Sequence, residues 1–113
     1  MSLSLHIVFN DPKRAQVYHP LAFQEVLRRS WWPLAQRLGL PLLQKLECLF
    51  ISTRQEAESI LREFEVVRGA LGQPDHGGIS QGDAAYMLRR LSEVEPLIME
   101  AVQEWDHVDH LSL

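Results

Sequence analysis

The chain has 113 residues, is 46% hydrophobic and 23% charged, and carries a net charge of −4. Those values suit one domain over residues 1–113, and an acidic total makes nucleic acid an unlikely partner, since such partners select a basic footprint. The single cysteine, Cys48, excludes an intrachain disulfide and a four-cysteine zinc site. No apolar run reaches the roughly 18–20 residues that span a bilayer, and no secretory signal opens the chain, so a cytoplasmic protein that does not enter the membrane is expected.

The charge is unevenly placed. Residues 1–45 hold six basic and two acidic residues, whereas residues 46–113 hold five basic and thirteen acidic ones. Either the two parts face each other and partly cancel, or the second presents an acidic face to a partner.

Leu3, Leu5, Ile7 and Phe9 alternate with Ser2, Ser4, His6 and Val8. Period two predicts a half-buried strand over 2–9, closed by Asn10-Asp11-Pro12. Residues 12–19 read as an irregular polar connection, with Pro20 as the first residue of a helix over 21–38. Phe23, Leu27, Trp31, Leu34 and Leu38 form its apolar side, and Gly39 suits the left-handed position after its end. Pro33 predicts a break or sharp kink near Ser30, with Ser30 as a second N-cap. Residues 46–51 read as a short buried strand with Cys48 in the core.

Thr53 and Glu56 form a capping box ahead of a helix over 54–71, which ends at Gly72 before Pro74. A glycine-rich loop follows. The next helix, over 83–105, has Asp83 as its cap. Its apolar residues Ala84, Met87, Leu91, Val94, Ile98, Ala101 and Trp105 alternate spacings of three and four. Pro96 lies within that stripe without breaking its phase, which predicts one helix kinked near Ser92. Val108, Leu111 and Leu113 suit a final strand over 107–113 that pairs with the first.

The expected fold is therefore α+β and mostly helical. An antiparallel αα-hairpin (about 54–71 and 83–105) and a broken N-terminal helix (21–38) pack with a small sheet. The sheet is built from the N-terminal strand and one or both of 46–51 and 107–113. An all-α domain is the alternative. The long apolar seams leave room for a homodimer.

No motif names a reaction, and no cofactor is expected. The favoured function is a small non-enzymatic interaction, regulatory or inhibitor protein, offering an acidic helical face to a basic protein. Trp32 with Arg28 and Arg29 on the first helix, and Glu93 and Glu100 on the last, are its candidate partner-binding residues. The alternative is a metal-dependent enzyme. Asp106, His107, Asp109 and His110 are side chains of the type that binds divalent metals, and glutamates of the helical hairpin could join them.

Overall fold

The computed structural model describes residues 2–113. Its four-stranded antiparallel sheet has the order β2-β1-β4-β3, with β1 at Ser2–Phe9, β2 at Val17–Phe23, β3 at Phe50–Ile51 and β4 at Val108–Ser112. The helical part comprises α1 (Gln24–Val26), a π-helical turn (Leu27–Trp31), α2 (Trp32–Leu38), a 3₁₀ segment (Leu43–Cys48), α3 (Arg54–Leu71) and α4 (Gln81–Gln103). The fold is α+β and mostly helical, and the sheet removes the all-α alternative.

β1 forms where its alternation predicts, and β4 pairs with it as expected, Ile7 opposite Leu111 and Val8 opposite His110. β2 corrects the sequence reading, because residues 17–23 are strand and the helix begins only at Gln24. Its period is hidden by an irregularity in register between Leu3 and Ser4 of β1, opposite Pro20 to Ala22. Pro20 is tolerated because β2 is an edge strand, where a missing N–H leaves no ladder bond unmade.

Pro33 does not break the helix at Ser30. The chain instead widens into the π-helical turn Leu27–Trp31, whose last bond runs from the Trp32 N–H to the Leu27 carbonyl. A wider turn relieves the crowding that proline imposes on the preceding carbonyls. Gly39 ends α2 with φ of 66°, as predicted. Residues 43–48 are also not strand. Their three-residue turn buries Leu43 and Leu46, continues inward at Leu49 and leaves Cys48 exposed, which corrects the core placement of that thiol.

α3 and α4 form the predicted hairpin. Thr53 caps α3 by accepting from the Glu56 N–H at 3.2 Å. α4 starts two residues earlier than predicted, capped by Ser80, and continues unbroken through Pro96. The loop between the helices is packed down. Gly77 lies in the left-handed region, and a Cβ there would sit 3.1 Å from Leu34 and 3.3 Å from Ala70, so only glycine lets the loop approach α2 and α3 this closely.

One core joins the layers. Leu5 and Ile7 of β1, Ile51 of β3 and Leu111 of β4 are fully buried with Trp31, Phe64, Met87, Leu91 and Ile98. Trp31 and Phe64 meet edge to face with centroids 6.2 Å apart. The helical seams that could have served a homodimer are consumed inside the chain.

Candidate functional site

The alternation that buries Leu5, Ile7 and Phe9 turns the other side of the sheet toward solvent. Register places one residue of each strand in a single row across that side. Tyr18 lies opposite His6, His6 opposite Ser112, and Ser112 opposite Phe50. Val8 and His110 form a second pair beside it. Tyr18 and Phe50, at the two ends of the row, are 62% and 59% exposed, which is unusual for residues this apolar.

The row is ordered by its own contacts. The His6 and Tyr18 rings meet edge to face at 4.7 Å, and the Phe50 and His110 rings stack at 4.8 Å. Ser4 donates to the Tyr18 hydroxyl at 3.0 Å. The aromatic groups are thus held in place before any partner arrives, which lowers the entropy cost of using them. Lysine, arginine and glutamate are missing from the paired positions of this face. Asp109 brings a formal charge to its margin, its carboxylate lying 2.6 Å from His110 Nδ1.

The helical layer is different, because several of its charges are paired with one another. Arg29 reaches Asp83 with two parallel bonds of 2.7 and 2.8 Å, and Ser30 donates to the same carboxylate at 2.5 Å. Arg14 pairs with Glu104, and His19 lies 3.1 Å from Glu93, which Arg90 also contacts. His19 and Arg90 hold the Glu93 carboxyl below its ordinary range, and Arg14 does the same for Glu104. The basic first part and the acidic second part of the chain therefore do face each other and cancel at several points.

Two further carboxylates are buried. Glu63 accepts from the Leu42 and Leu43 N–H groups at 3.1 and 2.9 Å, capping the 3₁₀ segment from a distant helix. Glu95 pairs with Arg68, yet burial pushes its carboxyl up. Replacing Glu95 by Gln is expected to change stability by less than about 1 kcal/mol, since losing the pair is offset by no longer burying a charge. Denaturant unfolding checks this, and a loss above about 2 kcal/mol would mean that the pair is strongly stabilising.

The residues singled out from sequence are scattered. Trp32 is half-buried against the core, and its indole N–H is enclosed without a partner rather than presented outward. Arg28 is exposed, Arg29 is committed to Asp83, and Glu93 is committed to His19 and Arg90. Glu100 is exposed on α4. Asp106 and His107 fall in a short turn before β4, whereas Asp109 and His110 lie on the strand itself. Among the described residues no three His, Cys, Asp or Glu side chains gather closely enough to hold a metal ion. His110 instead faces Phe50 on the open sheet.

Tyr18 and Phe50 were missed. Tyr18 falls in the stretch 12–19, whose sequence predicts an irregular connection, and Phe50 in 46–51, whose sequence predicts a buried strand. Comparison with protein families, curated proteins and solved structures finds no match. No helix among the described residues is long and apolar enough to cross a membrane.

Proposed function

We propose that this is a small non-enzymatic interaction protein of the cytoplasm that binds another protein through the open face of its sheet. The observation that carries the reading is the pair of aromatic side chains, Tyr18 and Phe50, held exposed at the ends of one uncharged row. Exposed, pre-ordered aromatics are the residue types that anchor protein interfaces. The acidic helical face is the weaker candidate, because Glu93, Glu95 and Glu104 are already paired within the chain. Glu100 remains available for a basic partner.

Capture from a cell extract at low and high salt separates the two faces. Wild type is compared with Tyr18→Lys/Phe50→Lys and with Glu100→Lys. The sheet-face reading expects a partner retained by wild type and by Glu100→Lys but lost by the double variant, with little dependence on salt. Loss with Glu100→Lys alone, abolished by salt, would move the site to the helices.

A further inference from the structure

We infer that the occupant of the open sheet face is a second copy of this chain, the two sheets packing face to face as a weak homodimer. This rests on the interaction reading above and names its partner.

Charge is the first argument. Two copies of a chain with net charge −4 repel over most of their surfaces. The row Tyr18, His6, Ser112 and Phe50, with Val8 and His110 beside it, carries no carboxylate at its paired positions, and the Asp109 carboxylate at its margin is held 2.6 Å from His110 Nδ1. A basic partner would find only the Asp109 carboxylate there, already beside His110, whereas a second acidic copy meets less repulsion on this face than on the helices with their glutamates.

Symmetry is the second argument. A two-fold contact must be self-complementary. The row has an aromatic side chain at each end and small or half-buried polar ones between. A two-fold axis along the strands lays Tyr18 of one copy over the Phe50 position of the other, so each edge aromatic meets an aromatic. Edge-to-edge pairing is the poorer route. Pro20 interrupts the free edge of β2, and β3 is only two residues long.

Area sets the strength. Four strands about 4.8 Å apart give a face roughly 20 Å square, or about 400 Å² in projection. Two such corrugated faces bury on the order of 1,000 Å² in total, which is the lower bound for a specific interface. An interface of this size belongs with weak, transient complexes, so the dimer is concentration-dependent over the micromolar range.

Sedimentation of the purified full chain from about 1 μM to about 500 μM tests this range. Wild type is expected to pass from monomer to dimer. Tyr18→Lys and Phe50→Lys, each at an exposed position, are expected to raise Kd by at least about tenfold while keeping the circular-dichroism spectrum. Both lysines make the chain less acidic, so lost association cannot come from added net repulsion. Val66→Lys, on the exposed side of α3, is the control and should dimerise like wild type. A wild type that stays monomeric throughout would overturn the inference, as would lysine variants that dimerise unchanged. A monomeric wild type that still loses a captured partner in the double variant would overturn the second copy as occupant while leaving the interaction reading standing.

Discussion

Glu63→Ala is expected to lower stability by about 3 kcal/mol. Glu63 is 9% exposed and projects from α3 toward the start of the 3₁₀ segment. Its carboxylate accepts from the N–H groups of Leu42 and Leu43, which are the first donors of that segment. Truncation leaves both N–H groups without that acceptor, and Leu43 is fully buried. Each unmade bond of this kind costs about 1–3 kcal/mol, more when the lost acceptor is charged. For a chain of this size, 3 kcal/mol corresponds to roughly 12 °C in Tm. Glu63→Gln keeps an acceptor oxygen and should cost only about 1 kcal/mol. Denaturant unfolding measures both, and amide exchange at Leu43 should accelerate more than at the centre of α4. Equal costs for Ala and Gln would show that the capping bonds contribute little.

The second large effect is at Asp83. Its side chain takes both Arg29 bonds and the Ser30 hydroxyl, tying the π-helical turn to the first turn of α4. The Arg29 guanidinium lowers its carboxyl to about 2, outweighing the opposing effect of burial, and Ser30 adds to the lowering. A depressed folded-state pKa gives stability that is complete above the unfolded value and lost as pH falls toward the folded one. Wild type should therefore lose about 1–2 kcal/mol from this group between about pH 5 and pH 2, the range reflecting the solvent exposure of Arg29. Asp83→Asn should cost about 2 kcal/mol at pH 7 and remove that part of the acid sensitivity. Glu93 and Glu104, also depressed by their partners, keep the variant partly acid-sensitive. Identical pH profiles for wild type and Asp83→Asn would contradict the assignment.

Residue type assigns Glu63 and Glu95 to the polar, solvated sides of the two later helices, and the structure corrects this, since both are buried. Glu63 sits three residues after Ile60 and four before Val67, and Glu95 four after Leu91 and three before Ile98. Both fall on the apolar stripe rather than on the polar side to which a glutamate is ordinarily assigned. Asp83 lies four before Met87, on the same stripe as Glu95. A carboxylate in phase with buried residues has to find a partner within the chain. Which partner it finds depends on tertiary contacts 20 or more residues away, and no local pattern carries those.

The two later helices and the first strand were readable because their periods are clean and polar capping residues precede the helices. β2 was not, since a register shift and Pro20 erase its alternation. The segment 43–48 failed for a related reason. Leu43, Leu46 and Leu49 follow a period of three, which matches neither a strand nor an α-helix. The open face depends on these two segments for its aromatic ends. Only its middle, His6 and Val8 on the solvent side of β1, was visible in the sequence pattern.

The claim that the sheet face, and not the helical layer, meets a partner is tested most directly by site-specific photo-crosslinking. A photoreactive phenylalanine analogue is placed either at Phe50, on the sheet face, or at Val66, on the outer side of α3. Both side chains are exposed, at 59% and 46%, so either position tolerates the probe. Irradiation in cells should give discrete higher-mass adducts from position 50 and none from position 66. Adducts from position 66 alone would place the interface on the helices and contradict the account.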